Sequence, residues 1–412
     1  MCHVTRLRTS GFILLGLLCT TSTVTADKNQ DFQKAYKAYQ QHINANDTPK
    51  AIKAAEQAYL FGSKVYGRNS INTANLAINY AMLLNDTRKS KQARKVLKGK
   101  LRILEKEYGK HSAELVPMLM ELGRSHFDPA RPRDGLKYFN RVTSILENHE
   151  DTLHRGRKNF DIVSFLLKNR ANAHTRQFVE AAYEAYSDSL TPNDIRLGLA
   201  AYHMALWSTS DGRFTEAVAY LDSALPSFQT IGGGDVSSLE RTARIMSIQI
   251  LERTGQSNLA TPHLLALGRG HEWITPVRPL YMPAPEPGSI FGGDVELVFS
   301  IDDQGYVKQA NVSGSTRPEL NETALSIING ARFVPRFVDG KAVVTEGVSY
   351  TISIADVQQY AGDSQSQIIV NDPRPPHRDF PTPSVHDAQR DEILYPGLDA
   401  DKERESTGDV YF

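Results

Sequence analysis

Two hydrophobic rhythms divide the chain. From about residue 31 to residue 267 apolar side chains recur at helical spacing among Ala, Leu, Lys and Tyr; proline is sparse and no period-2 alternation occurs, so the pattern predicts helices throughout. The rhythm then changes. Asp294 to Ile301 reads as a strand with Val295, Leu297, Phe299 and Ile301 on one face and Asp294, Glu296 and Ser300 on the other. An Asp-rich turn closing at Gly305 returns the chain as a second strand, Tyr306 to Ser313. Pro318 opens a helix whose apolar stripe is Leu320, Ala324, Ile327, Ile328 and Ala331. A last strand, Val343 to Ile354, follows the turn Asp339-Gly340-Lys341; it points Val348, Tyr350, Ile352 and Ile354 inward and Ser349, Thr351 and Ser353 outward. The expected product of this part is a half-covered antiparallel sheet with a helix on one face.

The helical part repeats itself. Tyr66-Gly67 returns 42 residues later as Tyr108-Gly109, with Ser70 and Ser112 at the same offset. Small residues open a second helix at Ala51, Ala93, Gly135, Ala181, Ala217 and Ala260, with irregular steps near residue 180 that imply an insertion or a misaligned unit. The clearest unit runs Gly212-Arg213-Phe214-Thr215-Glu216-Ala217, then Tyr220-Leu221, then Ala224-Leu225-Pro226. It resembles the second helix of a tetratricopeptide repeat, and Thr73 to Tyr80 is similar to the first helix of the longer variant of that repeat in kinesin light chains. The resemblance implies stacked helix pairs with a continuous core and a concave groove suited to a peptide.

Arg332-Phe333-Val334-Pro335 and Asp339-Gly340-Lys341, in this order behind the Asp-Gly turn and the Leu-x-x-x-Ala-Leu helix, resemble the C-terminal domain of the TonB family over roughly residues 276 to 354. The resemblance implies that an extended segment of an outer-membrane receptor is received as an added strand. The edge that would take it here is Val343 to Ile354, through Val343, Val344, Val348, Ser349, Tyr350, Thr351 and Ile352. Gly305, Arg332, Phe333, Pro335, Asp339 and Gly340 are expected as turn and core residues.

At the N-terminus Arg6 and Arg8 precede the apolar run Gly11 to Cys19 and small residues ending at Ala26, the layout of a secretory signal cut before Asp27. The run is short for a membrane span, so an uncleaved anchor is the weaker alternative. Both cysteines, Cys2 and Cys19, fall inside the signal, which leaves the mature chain without a thiol. Five prolines between Pro276 and Pro287 predict an extended connector, and the stretch after residue 355 is polar, acidic and proline-containing.

The expected fold class is therefore α+β multidomain: a signal at 1–26, an all-α tetratricopeptide-like solenoid at 27–270, a proline-rich linker at 271–289, a small TonB C-terminal-like domain with an antiparallel sheet at 290–355, and an acidic tail at 356–412.

Charge and chemistry narrow the function by exclusion. Lys plus Arg and Asp plus Glu number 47 each, which removes the basic excess expected of a nucleic-acid binder. The densest basic stretch, from Arg88 to Lys110, offers Lys91, Lys95 and Lys98 as a patch for an acidic partner, although such a run is more often a solvated helix face. His149 and His154 lie five apart, a poor helical face for a metal, and neither a His-Glu-x-x-His pair nor a Gly-x-Ser-x-Gly elbow is present. No cofactor, metal or catalytic residue is expected.

These observations together predict a non-enzymatic periplasmic adaptor. Its expected partners are other envelope proteins or peptides, an outer-membrane receptor among them, and it would have no span in the mature chain. A TonB-type transducer component and an envelope hydrolase are the alternatives. A transducer of the family keeps a membrane helix and a long spacer, and this chain shows a cleavable signal and a short one.

Overall fold

The computed structural model describes residues 23–232, 235–268, 277–284 and 292–354. Residues 1–22 of the predicted signal at 1–26, most of the linker and the acidic tail lie outside these residues. Two compact units meet in sequence between Ser189 and Leu190.

The first unit is helical: α1 (Thr23–Asn44), α2 (Thr48–Tyr66), α3 (Ile71–Asp86), α4 (Ser90–Leu97), α5 (Lys100–Tyr108), α6 (Val116–His126), α7 (Arg133–Leu146), α8 (Thr152–Lys168) and α9 (Arg176–Ser187). Consecutive helices pack as hairpins, α1 with α2, α3 with α4, α6 with α7 and α8 with α9. The second unit opens with two further hairpins, α10 (Ile195–Ser210) with α11 (Phe214–Ile231) and α12 (Ser238–Arg253) with α13 (Ser257–Gly268).

One turn recurs inside these hairpins. The amides of Asp47, Lys89, Ala171, Arg213 and Gln256 each donate to the carbonyl five residues earlier, those of His42, Leu84, Leu166, Ser208 and Leu251. The residue just before each donor is left-handed: Asn46, Arg88, Arg170, Gly212 and Gly255, with φ from 53° to 74°. This bond satisfies a carbonyl that the helix end would otherwise leave bare. The Tyr-Gly repeat marks a different turn, between hairpins. Gly67 (φ 86°, ψ 146°) and Gly109 (φ 88°, ψ 160°) take up nearly the same backbone, a region closed to residues with a Cβ. Three residues on, the hydroxyls of Ser70 and Ser112 accept the amides of Thr73 and Glu114 and start the next helix.

Close helix approach explains the small residues. Ala51, Ala93, Ala217 and Ala260 have no exposed surface, and a Cβ on Gly135 would lie 2.7 Å from the Phe127 Cα. At α9 the expectation slips by one residue: Ala182 is the fully buried alanine and Ala181 is partly exposed. A 3-10 turn, Asn172–His174, precedes α9.

After α13 come β1 (Pro279–Tyr281), β2 (Gly293–Ile301), β3 (Val307–Ser315), α14 (Asn321–Asn329), β4 (Arg332–Phe333), β5 (Arg336–Val338), β6 (Lys341–Val343) and β7 (Thr345–Ile354). Strand β2 lies between β3 and β7, antiparallel to both. Its inward side chains Val295, Leu297, Phe299 and Ile301 are buried against Ala324, Ile327 and Ile328 of α14 and Val348 and Ile352 of β7. Each such side chain contributes about 1.5–3 kcal/mol of apolar burial. Two short ribbons complete the domain, β1 with β4 and β5 with β6.

The single strand expected from Val343 to Ile354 is in fact two. Asp339 (φ 50°) and Gly340 (φ 74°) form a left-handed turn that folds β6 back on β5 and places Val343 opposite Arg336. Val344 is exposed between the strands, and the pairing with β2 begins at Thr345.

Candidate functional site

The two margins of the three-stranded sheet differ in regularity. Along β3 the register with β2 shifts twice, Gln309 is left-handed at φ 53°, and the Asn311 Nδ2 donates to the Gln309 carbonyl. Such a bulge bends a strand and spoils its edge as a template. Along β7 the register runs without a shift from Phe299 opposite Val348 to Gly293 opposite Ile354, and the one irregularity falls before it, around Gly347.

Among the described residues β7 pairs with β2 alone. Its outward side chains Ser349 and Thr351 are small, polar and exposed. Inward, Val348 and Ile352 are buried, and Tyr350 meets the Phe333 ring edge-on at 6.1 Å between centroids. Of the residues expected at the edge, Val348, Ser349, Tyr350, Thr351 and Ile352 lie in β7; Val343 and Val344 do not.

The Arg332-Phe333-x-Pro335 motif holds this sheet in place. Phe333 and Pro335 are buried in the domain. Arg332 is the largest fully buried side chain, and its partners lie outside the sheet. Its Nη1 pairs with the Glu252 carboxylate at the end of α12, with the two side chains only 2% and 5% exposed. Its Nη2 donates to the Thr261 hydroxyl of α13 at 2.9 Å and to the Gln304 carbonyl at 2.8 Å. The guanidinium carbon sits 3.7 Å from the Tyr306 ring centroid. Asp302 sets that ring, because its Oδ1 accepts the amides of Gln304 (3.0 Å) and Tyr306 (2.8 Å).

Apolar contacts surround the charged pair. Leu280, Tyr281 and Val334 pack on Ile248, Leu251, Leu264 and Leu267 of α12 and α13. Gly305 is pressed between the two elements: an added Cβ would lie 2.3 Å from the Phe333 carbonyl oxygen and 2.9 Å from Leu264. Gly305 and Arg332 therefore do more than shape a turn and a core. Asp339 and Gly340 remain turn residues on an exposed hairpin tip. Sequence reasoning missed Glu252 and Thr261, which carry no local signal of a role in a domain so far along the chain.

Other candidates resolve differently. Lys91, Lys95 and Lys98 are exposed on α4 and its C-terminal cap, but left-handed Gly99 (φ 75°) separates α4 from α5 and interrupts the stripe. Lys100 leaves it altogether: it is buried, donates to the Arg68 carbonyl and lies over the Tyr59 ring. Burial and the nearby Arg68 charge hold its ammonium below the usual lysine range.

His149 and His154 do meet, at 5.5 Å between ring centroids, because His149 precedes the α8 cap at Asp151 and is not on the helix. Burial, with Lys158 as the next contribution, pushes His154 down to about 4. Glu121 is buried between the Asn85 amide and Arg124, and desolvation raises its carboxyl pKa despite the arginine. Among the described residues no group of three or more His, Cys, Asp or Glu is placed to hold a metal, and no helix is long and apolar enough to cross a membrane.

Residues 291–353 match the family described as Gram-negative bacterial TonB protein C-terminal. No curated protein matches the chain. Among solved structures, a Podosopora anserina protein with nearly identical TPR-like repeats of the kinesin light chain kind is similar at 12% identity, covering 50% of this chain and 97% of that one, with a TM-score of 0.40. The Pseudomonas aeruginosa pilF structure is similar at 12% identity over 58% of this chain and 92% of its own, with a TM-score of 0.34. The chain carries helical hairpins and, after them, a small sheet domain that matches the TonB C-terminal family.

Proposed function

We propose that this chain is a non-enzymatic adaptor of the Gram-negative envelope whose TonB-like domain takes up an extended peptide as an added strand along β7. The observation that carries the proposal is the contrast between margins: β7 keeps an unshifted register with small outward side chains, whereas β3 is bent at Gln309. Main-chain hydrogen bonds along β7 would give affinity, and alternate side chains of the guest would give specificity. The helical hairpins are the proposed seat of a second protein contact. Export by the N-terminal signal, and with it a periplasmic location, belongs to the same proposal.

The test is amide hydrogen exchange of the full chain with a panel of extended peptides taken from the envelope-facing segments of outer-membrane receptors. Protection gained at β7 with β3 unchanged is the expected result. A peptide that binds while protecting only helices or β3 would refute strand addition at this edge.

A further inference from the structure

We infer that the TonB-like sheet and the helices α12 and α13 form one rigid receptor, in which Arg332 is the positioning residue that fixes how β7 is presented. The proline content of the connector predicts an extended, semi-rigid spacer that holds a module apart from the helices. The contacts describe something else. Strand β1, within the proline-rich segment, pairs with β4, and its Leu280 carbonyl accepts from the Gln249 side-chain Nε2 of α12. Leu264 of α13 abuts Gly305 where no Cβ fits, and a Cβ on Gly268 at the end of α13 would lie 2.2 Å from the Phe337 ring.

At the centre the guanidinium is held by acceptors on three separate segments: Glu252 on α12, Thr261 on α13 and Gln304 in the turn after β2. A fork-shaped donor with its acceptors fixed on three elements defines a single orientation, and any pivot would strand a buried charge. Arginine suits the task better than lysine, whose single ammonium cannot span such a set. The next residue, Phe333, touches Tyr350 of β7, so the clamp lies one residue from the proposed binding strand.

Two tethered modules would bind their ligands with an effective concentration set by the linker. A rigid unit instead selects one protein that offers an extended segment and a second contact at a set distance from it. That choice of partner rests on the strand-addition proposal; the rigidity does not.

Distance measurement between spin labels at Asn258→Cys on α13 and Ser349→Cys on β7 separates the two ideas, in the full chain with Cys2 and Cys19 replaced by serine. The expected result is one narrow distribution in the parent, a broad one in Arg332→Ala, and intermediate width in Arg332→Lys, which keeps the charge but not the fork. A broad or multiple distribution in the parent overturns the inference, as does an Arg332→Ala distribution as narrow as the parent's. Should Arg332→Ala fail to fold, the parent and Arg332→Lys widths decide. A broad parent distribution that accompanies intact peptide protection at β7 would remove the rigidity and leave strand addition standing.

Discussion

Arg332 and Glu252, 80 residues apart in sequence, form a buried ion pair that joins the sheet to the end of α12. Replacing one partner leaves the other charged and dry, which costs about 3–5 kcal/mol. Arg332→Ala and Glu252→Ala should each lower the stability of the second unit by about that much in urea titrations, while the Arg332→Met, Glu252→Leu double replacement should cost far less than their sum. Additive losses would show that the two side chains are not coupled.

Glycines with positive φ and open surroundings separate backbone strain from steric clash. Gly109 and Gly212 have nothing near an added Cβ, yet Gly109 (ψ 160°) lies in a region reserved for glycine, whereas Gly212 is in the ordinary left-handed region. Gly212→Ala should cost about 1 kcal/mol and Gly109→Ala about 1–3 kcal/mol. Arg88→Gly and Arg170→Gly, at left-handed non-glycine turns, should be close to neutral, since relief of strain offsets the added freedom of the unfolded chain. Chemical denaturation midpoints of the four variants give the order directly.

His203 on α10 is buried, and desolvation pushes it down to about 4. The unfolded chain binds that proton near pH 6.5 while the folded chain refuses it until about pH 4, so acidification across this window favours unfolding. The loss from this group approaches about 3 kcal/mol by the bottom of the window. It is absent above pH 7, where the ring is neutral in both states. Removing the titration in His203→Gln should lessen the fall in stability of the second unit between pH 6.5 and 4, with partly buried His263 keeping part of it. A variant whose pH slope equals the parent's would show that other groups carry the effect.

Proline substitutions at two adjacent positions distinguish the inner from the outer ladder of β7. Successive amides of a strand point to opposite sides, so of Ser349 and Tyr350 one donates toward β2 and the other toward the open margin. One of Ser349→Pro and Tyr350→Pro should therefore remove a ladder hydrogen bond to β2 and destabilise the sheet by about 1–3 kcal/mol, while the other keeps the fold and loses most peptide binding. Thermal melts and peptide titration of both variants identify which is which. Equal behaviour of the two would count against a one-sided margin.

What the sequence discloses follows from how local each cause is. The alternation of β2 is legible because every inward position, Val295 through Ile301, is apolar and a strand repeats every two residues. The Tyr-Gly and Ser spacing is legible because Gly67 and Gly109 occupy backbone that other residues avoid. Val343 and Val344 mislead because they are apolar and adjoin β7, although the turn at Asp339-Gly340 closes a separate hairpin first. His149 and His154 mislead because helical spacing does not apply across a cap. The seat of Arg332 is invisible: Glu252 and Thr261 occupy ordinary helical positions, and only the folded chain brings them to one guanidinium.

The left-handed kink at Gln309 has an outcome for assembly. A sheet able to accept neighbours on both flanks can elongate without limit, as fibrils do. With one flank bent at Gln309 and only β7 straight, chains that paired through β7 would have no second regular flank to pass the pairing on, so the proposed edge would not propagate into a polymer of this chain.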